Sequence, residues 1–319
     1  MTTDILKLIG GVGVIFFGAE WLVRGAARLA TRLGVHPVVL GLTIVSLGTS
    51  APELVVAVVA SAQGASGLAL GNVMGSNLAN VGLILAVSAM IRPLEVSGRV
   101  VTREVPIMLL ITFLIYPVLM NSHVSRIEGL GLVGLLIVYL VFVFRVARDE
   151  DEKVLGDFER VAKETAGVDA RAAFRIAALL IMGSVGLALG GFAVVEGATA
   201  IAMTLNISES VIGFTVVAIG TSMPELATSA VAAYRNEADI AVGNVIGSNV
   251  FNLTAILGIA ALVRPLDVER NVLSVEFPAV VIISVLLVPI VRADLTIRRA
   301  EGALLLAAYG VLAFWVLSN

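Results

Sequence analysis

The sequence predicts an all-α polytopic membrane protein, with ten transmembrane helices arranged as two inverted five-helix repeats. Three observations carry that expectation. Hydrophobic residues make up 59% of the chain and charged residues 14%, with mean hydropathy +1.03, against roughly 45–50% and about 25% in soluble domains. Apolar stretches long enough to span a bilayer recur along the chain, and the charges concentrate in one central stretch. Residues 41–96 align without a gap on residues 213–268, identical at 26 of 56 positions. This composition excludes a soluble globular enzyme and a disordered chain, and outer-membrane barrels of alternating strands rarely reach such hydropathy. The net charge of −3 gives no basic footprint for nucleic acid. The absence of cysteine excludes disulfides, thiolate metal sites and cysteine catalysis. His36 and His123 each stand alone.

A spanning helix needs about 20 largely apolar residues. Ten candidates follow in order: 5–28, 36–61, 68–91, 104–121, 127–147, 172–202, 208–234, 240–263, 272–291 and 300–318. The organisation expected is a first five-helix repeat over 1–147, a polar linker over 148–170 and a second repeat over 171–319. The start of the chain, with one lysine before the first apolar run, does not resemble a cleaved signal or a transit peptide, so the first span is expected to stay. With ten spans, 17 of the 21 Lys and Arg residues fall in loops on one side. Positive loops stay in the cytoplasm. Both termini are therefore expected outside and the linker inside, in a multi-pass protein of the cell (inner) membrane.

The repeat aligns at an offset of 172 residues. Gly48-Thr49-Ser50-Ala51-Pro52-Glu53 matches Gly220-Thr221-Ser222-Met223-Pro224-Glu225, and Gly71-Asn72-Val73-Met74-Gly75-Ser76-Asn77 matches Gly243-Asn244-Val245-Ile246-Gly247-Ser248-Asn249. Five spans per half is an odd number, so the second half enters the membrane from the opposite side. Transporters built on inverted repeats hold substrate near the midplane, at the repeat interface, on interrupted helices.

Pro52, near the middle of the second span, has no N–H and deprives the Gly48 carbonyl of its helical partner. Unpaired backbone at membrane depth persists only when buried in protein or lining a wet cavity. Helical spacing would put Thr49, Ser50 and Glu53 on one face, and Thr221, Ser222 and Glu225 likewise. A carboxylate at the bilayer centre costs roughly 2.5–3.5 kcal/mol, and cations are the simplest compensation for two. Carboxylate, hydroxyl and carbonyl oxygens suit Na⁺, Ca²⁺ or Mg²⁺ rather than zinc or copper. Ser76 with Asn80, and Ser248 with Asn252, add neutral oxygens at i, i+4.

Each feature has a blander reading. A GxxxG stretch usually packs helices, a lone hydroxyl usually bonds its own i−4 carbonyl, a lone proline usually kinks, and single methionines pack. The whole constellation occurs twice, which none of these single readings explains. Elsewhere the bland reading prevails: Glu20 and Arg24 form a local ion pair, Glu196 lies over Arg24 in the repeat and lacks a symmetric partner, Glu104 and Glu276 face the membrane interface, the acidic run 149–152 is solvated linker, and Asn206-Ile207-Ser208 is a weak glycosylation sequon.

At these motifs the chain resembles the cation/calcium exchanger superfamily, in the short prokaryotic sodium/calcium exchanger form. The resemblance covers both repeats. It implies a secondary antiporter that exchanges Na⁺ for Ca²⁺ by alternating access, without enzymatic chemistry, without a cofactor, with the two ions as substrates, and with the lipid bilayer but no obligate protein partner around it. Proton-coupled Ca²⁺ antiport through the same pocket is the alternative. The ligands it implies are Thr49, Ser50, Glu53, Ser76 and Asn80 from the first repeat and Thr221, Ser222, Glu225 and Ser248 from the second, with Ser46 and Ala218 contributing backbone carbonyls. Asn252 stands where many members carry Asp, which leaves two central carboxylates.

Overall fold

The structure, a computed structural model, describes residues 2–164, 170–204 and 218–318. Three expectations lie outside the described residues: the opening of the seventh span before residue 218, the sequon at 206–208 and the side chains of the acidic run 149–152.

The first half runs α1 (Thr2–Leu33), α2 (Pro37–Gln63), α3 (Ser66–Ile91), α4 (Val100–Met120) and α5 (Arg126–Glu164). The second runs α6 (Ala170–Thr204), α7 (Ala218–Tyr234), α8 (Ala238–Val263), α9 (Val272–Asp294) and α10 (Arg299–Ser318). Among the described residues, eight unbroken helices are long and apolar enough to cross a membrane, and the bent α2 makes up to nine. The protein is a multi-pass membrane protein.

Local chemistry sets the boundaries. α1 ends at Gly34 in the left-handed region (φ 68°), and the Val35 amide returns to the Ala30 carbonyl at 3.1 Å. Pro37 opens α2 in its first turn, behind His36, whose ring nitrogen accepts from the Val38 amide. Gly64 closes α2 at φ 80°, and its repeat counterpart Asn236 closes α7 at φ 65°; asparagine is among the few other residues that tolerate this region. Arg92-Pro93 and Arg264-Pro265 stop α3 and α8. α5 continues past its apolar part into the expected linker, as far as Glu164.

Two elements were not foreseen in the sequence. Leu94–Glu95 (β1) pairs antiparallel with Thr296–Ile297 (β4), and His123–Val124 (β2) pairs with Leu266–Asp267 (β3). Leu94 and Leu266 are repeat equivalents, so each half lends a dipeptide to the other in a reciprocal exchange. Each pair is too short to carry a periodic signal. Five-residue π-helical segments also recur at the repeat offset: Asn80–Ile84 with Asn252–Ile256, and Val100–Glu104 with Val272–Glu276.

The core sits around α8, 89% of whose apolar window is buried, against 28% for each of α1 and α6. α1 and α6 pack against one another through glycines on the outside of this core. A Cβ on Gly18 would stand 2.8 Å from the Leu187 amide nitrogen, and one on Gly183 would stand 2.7 Å from that of Leu22. Lys7 and Glu196 join these two helices at 2.5 Å, so Glu196 has a partner that the repeat did not indicate. The Glu20–Arg24 pair forms as expected, at 2.5 Å, and Arg235 from the end of α7 also closes on Glu20.

Glu104 corrects the sequence reading. It does not face the membrane interface but is 1% exposed, with its Oε1 accepting from Arg99 at 3.1 Å and Arg103 at 2.9 Å. The cause is the π-helical turn at Val100–Glu104, whose i→i+5 spacing sets residue 99 beside residue 104. Asn271 and Val275 replace the two arginines at the counterpart Glu276, which is half-buried. Removing one partner of a buried ion pair is strongly destabilising. Glu104→Ala is therefore expected to lose about 3 kcal/mol of stability, read as a lower thermal unfolding midpoint in detergent. The same change at exposed Glu95 should stay within about 0.5 kcal/mol.

Candidate ion-binding site

α2 and α7 break at equivalent serines. Ser50 has φ −82°, ψ 9° and Ser222 has φ −85°, ψ 2°, both in the bridge region between helix and extended backbone. Pro52 and Pro224 sit in the first turn of the helical arms that follow. In α2 the two arms, Pro37–Thr49 and Ala51–Gln63, meet at 48°. The break expected from Pro52 is present, but it changes what the sequence suggested about the face. Thr49, Ser50 and Glu53 do not share one continuous helical face, because the helix turns between them.

The hydroxyls instead cross to the other repeat. Ser50 Oγ donates to Glu225 Oε1 at 2.8 Å, and Ser222 Oγ donates to Glu53 Oε1 at 3.1 Å. The α3 and α8 serines join the same cluster: Ser50 lies 3.1 Å from Ser248, and Ser222 lies 3.4 Å from Ser76. Glu53 and Glu225 are each 1% exposed and within electrostatic reach of one another. All of Thr49, Ser50, Ser76, Asn80, Thr221, Ser222, Ser248 and Asn252 are at most 5% exposed. Ser50, Ser248 and Glu225, and likewise Ser222, Ser76 and Glu53, thus form two equivalent buried groups, each drawing on both repeats.

Backbone carbonyls play different parts. The Ser46 carbonyl accepts from the Ser50 amide at 2.9 Å and from the Thr49 hydroxyl at 3.2 Å, while the Ser46 hydroxyl bonds the Gly41 carbonyl at 2.5 Å. Ala218 opens the short helical turn Ala218–Thr221 ahead of the second break.

Two asparagines, one from each repeated Gly-Asn block, support the breaks. The Asn72 amide donates to the Glu53 carbonyl at 3.2 Å, and the Asn244 amide donates to the Glu225 carbonyl at 3.5 Å. Asn244 Oδ1 also lies 3.1 Å from the Thr49 hydroxyl. Their recurrence in both Gly-Asn-x-x-Gly-Ser-Asn blocks was the available signal. The glycines of α8 allow this approach: a Cβ on Gly243 would stand 2.7 Å from the Val38 carbonyl oxygen, and one on Gly247 would stand 2.2 Å from Ser46 Oγ. A Cβ on Gly71 or Gly75 would meet open space among the described residues, so these two glycines are not required for a close approach.

What remains unpaired is informative. Among the described residues, Glu53 Oε2, Glu225 Oε2, Asn80 Oδ1 and Asn252 Oδ1 are buried and have no hydrogen-bond partner. They form two symmetry-equivalent pairs, and all four are acceptors. Leaving a buried acceptor unpaired costs roughly 1–3 kcal/mol, more for a charged one, and an occupant that supplies positive charge would satisfy all four. Hard oxygens of this kind suit alkali or alkaline-earth cations. Among the described residues no three His, Cys, Asp or Glu side chains converge, so the two glutamates would need hydroxyl, amide and carbonyl oxygens to complete a cation site.

The comparisons with known proteins agree with this chemistry. The family model described as sodium/calcium exchanger protein matches residues 4–145 and 175–318. Inner membrane protein YrbG of Escherichia coli is 35% identical over 283 residues, which covers 88% of this chain and 86% of that protein. The sodium/calcium exchanger MaX1 of Methanosarcina acetivorans is 33% identical over 344 aligned positions, covering 97% of each chain. The solved structure of the sodium-calcium exchanger NCX_Mj superposes with a TM-score of 0.85 at 32% identity, over 98% of this chain and 97% of that one. Matched along both halves and folded like an exchanger of known structure, the chain belongs to the sodium/calcium exchanger family of membrane transporters.

Proposed function

We propose that this protein is a secondary antiporter that exchanges Na⁺ for Ca²⁺ by alternating access, with Glu53 and Glu225 as shared ligands of the transported cation. The observation that carries this reading is the set of four buried, unpaired oxygens, one glutamate and one asparagine from each repeat. The hydroxyls of Thr49, Ser50, Ser76, Thr221, Ser222 and Ser248 complete the oxygen shell, together with the carbonyls of Ser46 and Ala218. Ca²⁺ takes 6–8 oxygens, and such a set is ample for one Ca²⁺ or for Na⁺ in its place.

The frame belongs to the same proposal: ten transmembrane helices, two inverted repeats over 1–147 and 171–319, a cytoplasmic linker over 148–170 and both termini outside. The strand pairs support it. β1 with β4 joins loops expected in the cytoplasm, and β2 with β3 joins loops expected outside. The ions are substrates, no resident cofactor takes part, and the protein works in the lipid bilayer of the cell membrane without an obligate protein partner.

Obligatory coupling follows from charge. Two carboxylates facing one another in a dehydrated pocket repel, so the ion-free carrier resists passage through an occluded state. Ca²⁺ cancels both charges, and Na⁺ ions do the same. Movement of α1 and α6 against the rest of the bundle would then alternate access to a loaded site.

The test is isotope flux in proteoliposomes with Na⁺, K⁺ and pH gradients imposed one at a time. An outward Na⁺ gradient at equal pH on both sides is expected to drive ⁴⁵Ca uptake that saturates with Ca²⁺. Uptake driven only by a pH gradient would replace Na⁺ with protons as the coupling ion. Non-saturating Ca²⁺ current without a counter-ion would identify a channel.

A further inference from the structure

Asparagine is an awkward cation ligand. Its carbonyl oxygen attracts the ion and its NH₂ repels it, yet the two ends have nearly the same shape. A pocket that relies on asparagine must fix which end faces inward. Here each site asparagine is held from the opposite repeat. The Asn80 amide nitrogen donates to Asn249 Oδ1 at 3.0 Å, and the Asn252 amide nitrogen donates to Asn77 Oδ1 at 3.3 Å. All four residues are at most 2% exposed. The oxygens of Asn80 and Asn252 are left without partners, four residues along from Ser76 and Ser248, which hydrogen-bond the serines that hold Glu53 and Glu225.

We propose that Asn77 and Asn249 are positioning residues: each captures the amide nitrogen of a ligand asparagine in the other repeat and so turns that asparagine's oxygen toward the cation. This inference rests on the ion site proposed above. The two copies differ in how firmly they are held. Asn249 is itself fixed by its amide, which lies 3.6 Å from Met108 Sδ, so this methionine does more than pack. Val280 stands at the equivalent of Met108, and the Asn77 amide nitrogen has no partner among the described residues. Asn77 therefore contributes one described hydrogen bond, the one to Asn252, and replacing it removes little else.

Loss of a residue that orients a ligand typically weakens metal binding 10–100-fold. Asn77→Leu, close in size but unable to accept, is expected to raise the Ca²⁺ KM of exchange in proteoliposomes by roughly that factor, with the maximal rate within about threefold of the parent. The discriminating experiment repeats the substitution in an Asn252→Asp background. A carboxylate has two equivalent oxygens and needs no orientation, so Asn77→Leu should then change KM by less than about threefold. Asn249→Leu with Asn80→Asp is the mirror cycle, and Asn77→Ala stands in should a leucine variant not fold. An equal KM change in both backgrounds, or no change in the Asn252 parent, would overturn the positioning role. Absence of Ca²⁺ exchange by the parent protein would instead remove the underlying site proposal, so the two failures are distinct.

Discussion

Replacement of Glu53 or Glu225 by Gln is expected to abolish Ca²⁺ uptake in reconstituted vesicles. Each glutamate keeps one oxygen on a serine of the opposite repeat and one oxygen unpaired in the cluster. Gln preserves volume and can still accept from that serine, so the variant removes charge while leaving shape. Truncating one partner of a buried, hydrogen-bonded charge pair costs about 2–5 kcal/mol of binding, which is roughly 30-fold to several-thousand-fold in affinity. The variants should also unfold at a higher temperature than the parent in ion-free buffer, because a repulsive buried pair has been reduced to one charge. Lost transport together with raised ion-free stability separates loss of a ligand from loss of the fold. Transport at the parental rate by either variant would be incompatible with a shared site.

A joint effect on folding and transport is expected at Gly247. A Cβ there would stand 2.2 Å from Ser46 Oγ, 2.6 Å from the Leu42 carbonyl oxygen and 2.7 Å from Leu42 Cα. Two of these neighbours are backbone of α2 at Leu42, about two turns ahead of its break, so relief requires α2 and α8 to separate along the arm that leads to the site. Overpacking a close interface costs about 1–3 kcal/mol, occasionally more, and outweighs the gain of about 1 kcal/mol in helix propensity from Gly→Ala. Gly247→Ala should lower the unfolding midpoint in detergent by about 5 °C and weaken Ca²⁺ exchange at the same time. Gly310, exposed on α10 with nothing within 4 Å, is the control, and Gly310→Ala should be neutral or slightly stabilising. A Gly247→Ala protein as stable as the parent would mean that α2 and α8 do not pack this closely.

The parts of this molecule that were legible beforehand are those where chemistry conflicts with the membrane. Glu53 and Glu225 stand out because charge at bilayer depth needs a reason, and Pro52 and Pro224 because they break helices. The motif pairing then placed these features opposite one another without any coordinates. The hydroxyls were harder. Helical spacing tied Ser50 to Glu53 within one span, whereas the break at Ser50 sends its hydroxyl to Glu225. A spacing rule holds only along an unbroken helix, and the proline that marked the site also ended the rule's validity there. Glu104 departs from its α-helical expectation for a related reason: residues 99 and 104 do not share an α-helical face, but they do across a π-helical turn. The orienting asparagines were visible only as repeated letters, since their role lies in contacts between residues about 170 positions apart. The strand pairs are two residues each and leave no trace in periodicity.

Equilibrium Ca²⁺ binding to purified protein tests the central claim most directly, with the parent compared against Glu53→Gln, Glu225→Gln and the double variant. Because both carboxylates serve one ion, each single variant is expected to lose as much binding as the double one. If each single variant instead retained half of the bound Ca²⁺ at parental affinity, the glutamates would serve separate sites and the shared pocket would be wrong.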